Sequence, residues 1–292
     1  MSNEKDDRSE EFPKGWLRPI LILLPYLFLV GAMQLICSLL LGIDPTVRNP
    51  LLSPLENVWM SAFTLVGGLV VVWIFRFGVD KRDFRSMGFQ MKHMVRDLAY
   101  GAIAGLLIVG LGFVVLLLWK QVQVEQMTYD GLDLLFCFLM FVAAAIGEEV
   151  FFRGYVLNNL LLSFKPWLAL VISSVFFSVF HGWNAGFSWI PLVSLFLAGI
   201  LLGLPLIFTK RLWLSIAMHF SWNFTQGPIF GFHVSGHQLY SVLEHTESPG
   251  NTWNGGMFGF EGSLVSIFVL LLAISGYLWC HRSLIHSKVT ES

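Results

Sequence analysis

Glu148 and Glu149 stand side by side in Ala143–Tyr155, read AAAIGEEVFFRGY, and Arg153 follows four residues after the second glutamate. The flanking residues are apolar for long enough to form a bilayer-crossing helix. An ionisable side chain near the bilayer centre costs at least about 2.5–3.5 kcal/mol, so three together must pair with one another or have a function. On a helix, Glu149 and Arg153 at i and i+4 share a face and can reach each other. Glu148 points about 100° away from Glu149 and has no local partner. Glu149 and Arg153 are therefore expected to form a structural ion pair, and Glu148 to face a cavity.

Three other polar side chains lie within apolar segments. His181 ends VFFSVFHGWN, and His219 and Asn223 lie in AMHFSWNF, where their i, i+4 spacing gives one shared polar face. Asn158, Asn159 and Asn184 lie near segment ends and weigh less. Each inner group also has a plain structural reading, His181 as a hydrogen-bonded packing residue and Asn223 as glue between helices. At about 1.5 Å of rise per residue, a helix continuing to Leu160 sets Glu148 about 18 Å deep, at a level with His181, His219 and Asn223. A carboxylate, two imidazoles and a carboxamide in one wet pocket suit amide hydrolysis. The acid serves as base for a water, His181 orients or deprotonates that water, and His219 with Asn223 donates to the oxyanion.

The elements that must hold these groups are membrane helices. Hydrophobic residues make up 55% of the 292 and charged residues 13%, and mean hydropathy is +0.70. Soluble domains carry about twice that charge, so a polytopic membrane protein is expected, all-α, with about eight helices around an internal polar cavity. At about 20 residues per crossing, the candidate segments are 18–41, 56–77, 97–119, 131–160, 166–184, 188–208, 212–228 and 261–280. With the N-terminus in the cytoplasm, nearly all of the 18 Lys and Arg residues sort to the inside. Arg48 and Lys120 fall outside, and Arg153 is in the motif. Eight crossings and two cytoplasmic termini satisfy that sorting.

Residues 1–14 read as a disordered cytoplasmic tail without the form of a signal peptide, and 15–292 as a single transmembrane domain. Cys37, Cys137 and Cys280 lie in apolar segments and suggest no disulfide framework. The basic stretch 78–96 is expected to lie against anionic headgroups. The outer loop 229–260, without Lys or Arg, is expected to turn His233, His237 and His245 to solvent. Gly101-x-x-x-Gly105 and Gly199-x-x-x-Gly203 are expected to let helices approach closely.

Other intramembrane hydrolase designs are missing from the sequence. It contains no H-E-x-x-H zinc motif, no Gly-x-Ser-Gly, and no aspartate in the middle of a span. The three sets Glu148-Glu149-x-x-x-Arg153, Phe177-x-x-x-His181 and His219-x-x-x-Asn223 resemble the successive motifs of the CPBP family of intramembrane proteins. That family includes the type II CAAX prenyl endopeptidases and the Abi-type, lysostaphin-resistance-like proteins of bacteria. The resemblance covers about residues 130–226 and implies an eight-helix membrane bundle with an internal cavity. It also implies a glutamate-type mechanism in which Glu148 and His181 activate water and His219 and Asn223 form the oxyanion site. The implied partners are the lipid bilayer and a membrane-embedded or lipidated peptide, with no nucleic acid, and the implied location is a bacterial plasma membrane. No cofactor is expected. A zinc ion on Glu148, His181 and His219, a two-histidine, one-carboxylate set, is the metal alternative. A transporter, immunity or scaffold protein that uses the polar cavity for binding is the non-enzymatic one.

Overall fold

The computed structural model describes residues 14–47, 50–248 and 252–282. The expected disordered tail, Lys14 apart, lies outside the described residues, as does Arg48. Each of the eight apolar segments contains a helix. In chain order these are α1 (Arg18–Leu41), α2 (Pro54–Ile74), α3 (Met94–Leu118), α4 (Gly131–Glu149), α5 (Pro166–Phe180), α6 (Trp189–Thr209), α7 (Trp213–Phe224) and α8 (Leu264–Cys280). Local sequence sets their ends. Ser53 and Glu56 form a capping box ahead of α2, Asp130 caps α4 by accepting from the N–H groups of Leu132 and Asp133 at 2.8 and 3.1 Å, and α1 stops at Gly42, with φ +70°.

Five stretches are long and apolar enough to cross a membrane: Arg18–Leu41, Pro54–Val79, Met94–Leu118, Gly131–Leu160 and Trp189–Thr209. Many large apolar side chains on them face outward, among them Leu24, Phe28, Leu40 and Leu107. This is an integral membrane protein. The other three helices are shorter than expected: α5 stops at Phe180, α7 passes into a π-helical turn, Thr225–Ile229, and α8 begins only at Leu264. All three are short where the chain folds over the cavity described below.

Helix α4 is longer than one crossing requires. It runs on through a π-helical stretch, Val150–Leu157, to Leu160. Its continuation sinks the glutamate pair into the bundle instead of leaving it at an end. One main core takes side chains from all eight helices, including Ile22, Val71, Val109, Val156, Leu170, Leu204, Ile216 and Val269. The glycine pairs permit the close contacts expected of them. A Cβ on Gly101 or Gly105 would strike the backbone of α7 at Leu214 or Met218, and one on Gly199 or Gly203 would strike Ser174 or Leu170 of α5.

The basic segments meet at one end of the bundle. Arg211 pairs with Asp97 at 2.5 Å, Leu212 N–H donates to Gly88 O at 3.0 Å, and Asn158 donates to Met87 O at 3.1 Å. At the other end the all-α design has one exception among the described residues, an antiparallel ribbon of β1 (Val122–Met127) and β2 (Leu243–Glu247). The loop 229–260 is built rather than open. Gln226 Nε2 donates to His233 O at 2.7 Å, and Gly259, with φ +90°, lies where a Cβ would strike the His233 carbonyl. Burial, helped by neighbouring His245, holds the His233 pKa below the usual imidazole range. The solvent-facing expectation fails for His245, whose ring is buried against Phe232, with Nδ1 donating to Phe230 O at 2.8 Å.

Candidate active site

The site begins with a buried ion pair. Glu149 and Arg153 are both buried, and Arg153 Nη1 donates to Glu149 Oε1 at 2.8 Å. A buried pair costs less when further contacts serve its groups, and here they serve the arginine, while Glu149 Oε2 is buried without a partner among the described residues. Arg153 Nη2 donates to Gly199 O at 3.4 Å, and the guanidinium lies 4.3 Å from the centre of the Phe177 ring. Phe177 also packs edge-on toward His219 and tilts against His181. It is the apolar hub on which the charged groups are stacked, a role that sequence spacing does not reveal.

Glu149 has a second partner. The same Oε1 accepts from His219 Nδ1 at 2.8 Å, so this carboxylate orients an imidazole as well as neutralising Arg153. His181 caps the C-terminal end of α5, where its Nδ1 meets Phe177 O at 2.8 Å. A carbonyl only accepts, so His181 Nδ1 carries a proton and Nε2 is left free to meet the cavity. Both Nε2 atoms then face Glu148: His181 Nε2 and His219 Nε2 each lie 3.8 Å from Glu148 Oε2. That oxygen is buried and has no hydrogen-bond partner among the described residues.

Glu148, His181, His219 and Asn223 line one cavity of about 250 Å³. Asn223 lies one turn after His219 on α7. The remaining wall is largely apolar, with Met140, Phe141, Leu195, Leu202 and Trp222. A smaller cavity of about 140 Å³ between α1, α2 and α4 shares Ser61, Ala144 and Glu148 with it. The structure thus brings together the four side chains singled out in the sequence, with Glu149 and Arg153 directly behind them.

It adds others. His237 and Glu261 line the same cavity from the 229–262 segment, and Asn57 and Ser61 from α2. Glu261 is buried, and its Oε2 accepts from Ser235 N–H at 3.2 Å and Ser235 Oγ at 2.7 Å. The one clue to it in the sequence is a lone acid opening an apolar stretch, at the start of 261–280.

The zinc alternative needs its ligands close together. Donors held at about 2.0–2.2 Å on a tetrahedral ion stand roughly 3.4 Å apart. Glu148 lies 3.8 Å from both imidazoles, and no three His, Cys, Asp or Glu side chains among the described residues form a metal-holding group. No chemical step is assigned to zinc.

Comparison with known families bears on the same helices. Residues 130–225 match the family described as Type II CAAX prenyl endopeptidase Rce1-like. This stretch is similar to that family. No curated protein matches the sequence. The Rce1-like segment runs from the start of α4 to just past α7 and holds Glu148, Glu149, Arg153, Phe177, His181, His219 and Asn223. The match supports an endopeptidase of the CAAX type, working within the membrane, as the general class. Asn57, Ser61, Ser235, His237 and Glu261 line the cavity from outside the Rce1-like segment.

Proposed function

We propose that the protein is a glutamic-type intramembrane endopeptidase that hydrolyses a peptide bond in a membrane-associated, lipidated, CAAX-like substrate. The observation that carries this reading is the Glu148 oxygen without a hydrogen bond, with two imidazole nitrogens each 3.8 Å away, in a cavity of about 250 Å³. Polar atoms at that separation are too far apart to bond directly and are spaced for one bridging water.

The water gives a proton to Glu148, while the lone pair on His181 Nε2 holds it in line, and its oxygen attacks the scissile carbonyl. His219 and Asn223 donate to the oxygen that becomes negative. To donate from Nε2 while Nδ1–H stays on Glu149, His219 must be the imidazolium, whose charge is balanced by the carboxylates on either side. Glu148 then returns its proton to the departing amine. No metal or other cofactor enters these steps. The apolar wall suits a hydrophobic or lipid-bearing peptide, the Lys/Arg sorting supports two cytoplasmic termini, and the family resemblance supports a bacterial plasma membrane.

The test is cleavage by the full chain reconstituted in lipid, read by mass spectrometry on CAAX peptides with and without a prenyl group. Cleavage of the prenylated peptide at a single bond, at least tenfold faster than of the unmodified one, is expected. Hydrolysis of neither peptide would contradict the proposal.

A further inference from the structure

At the end of the bundle where the basic segments meet, α2 continues into a π-helical turn, Phe75–Val79. Such turns are rare and cluster at functional sites. The chain reverses at Lys81, which takes a left-handed conformation with φ +51°. The reversal opens a groove lined by Trp73, Arg76, Phe77, Lys81, Arg82 and Asp83. Three of these are cationic and one is acidic.

Arg76 is buried, so its charge must be accounted for. Its Nη1 donates to Asp80 Oδ2 at 2.9 Å and its Nη2 to Ser86 Oγ at 2.6 Å. Its Nε is buried and has no acceptor among the described residues. Lys81 is exposed and Arg82 half-buried at the mouth of the groove. Trp73 and Phe77 lie on the outer face of the spanning stretch Pro54–Val79. They are more than half exposed and stack in parallel with ring centres 5.9 Å apart.

Cationic donors beside exposed aromatic rings at the end of a membrane span suit a ligand with an anionic head and apolar tails. Aromatic rings favour this interfacial depth, and basic pockets at helix ends take lipid headgroups. We propose that this groove binds the phosphate of an anionic phospholipid through Lys81, Arg82 and Arg76, with its acyl chains along Trp73 and Phe77. The exposed rings favour a lipid over free phosphate, which has nothing to place against them. The ligand would also touch the catalytic helix at one remove. Asp80, which holds Arg76, accepts from Asn159 Nδ2 at 3.1 Å and from the Tyr155 hydroxyl at 3.4 Å.

The test is native mass spectrometry of the purified full chain in detergent, titrated with phosphatidylglycerol or phosphatidylcholine of the same acyl chains. The wild type should retain phosphatidylglycerol about tenfold more tightly, and Lys81→Gln/Arg82→Gln should bring it down to the phosphatidylcholine level. Lys81→Arg/Arg82→Lys, which keeps both charges, should retain it, and so should Lys165→Gln, away from the groove. Thermal unfolding of each variant separates a lost ligand from a lost fold. Equal retention of the two lipids by wild type, or unchanged phosphatidylglycerol binding in the Gln/Gln variant, would overturn the proposal. So would displacement of the lipid by millimolar inorganic phosphate, which would mark a site for the free ion.

Discussion

Glu149 and His219 are joined by a 2.8 Å hydrogen bond from Nδ1 to Oε1, on the same oxygen that takes Arg153. Adjacent glutamates therefore differ: Glu149 Oε1 takes both Arg153 and His219, whereas Glu148 has only the two imidazoles 3.8 Å away, and each keeps a buried Oε2 without a partner among the described residues. Glu149→Ala leaves the Arg153 guanidinium buried without its counter-charge, a change that costs about 3–5 kcal/mol. Glu148→Gln removes no hydrogen bond made among the described residues and keeps the side chain's shape, so it should cost much less than Glu149→Ala. Thermal unfolding of the two variants in one detergent should show a large downward shift for Glu149→Ala and a much smaller one for Glu148→Gln.

The proposed role of Asn223 is to donate where negative charge develops, so its loss should affect the rate far more than binding. Asn223→Ala is expected to lower kcat by about 10²–10³, with KM changed little. Steady-state kinetics on a cleaved peptide check this. A rise in KM at constant kcat would assign Asn223 to substrate binding.

Helix α7 holds His219 and Asn223 in place because α3 lies directly against it. A side chain at Gly105 would strike the α7 backbone at Met218 and Trp222. Backbone cannot move aside as a side-chain tip can, so Gly105→Leu should cost about 1–3 kcal/mol or more and misplace His219. Gly110, with open space around it, is the control on the same helix. Gly110→Leu should leave the thermal midpoint and activity near wild type.

Much of this architecture was legible in the sequence. An unpaired acid in an apolar run is expensive, so the positions of Glu148, Glu149 and Arg153 already define a cavity and an ion pair. The long apolar run after Glu149 gives the depth of the fourth helix, and the glycine spacings give two close helix contacts. Less legible were groups whose positions depend on tertiary folding. Glu149 reaches His219 across 70 residues, a contact that no local spacing encodes. Phe177 enters the sequence only as the start of the motif that ends at His181, and its place under Arg153 appears only in the fold. His237 and His245 belong to a segment without helical periodicity, and Glu261 opens a stretch that reads as helix but folds as a 3-10 turn ahead of α8. The segment's folding back over the cavity depends on backbone contacts such as the one at Gly259.

The mechanism assigns the chemistry to side chains alone. Activity should survive exhaustive chelation, and metal analysis of the active protein should show well under one zinc per chain. Activity abolished by chelation and restored by added zinc would replace the glutamate mechanism with a metal one.

The claim at the centre is that the Glu148 carboxylate activates the hydrolytic water. It is tested most directly by the single-turnover cleavage rate of Glu148→Gln against wild type, with both reconstituted in lipid and given the same prenylated peptide. The account predicts a loss of at least about 10³, within the range for removing a general base, in a protein that unfolds near the wild-type temperature. A rate within tenfold of wild type would contradict it.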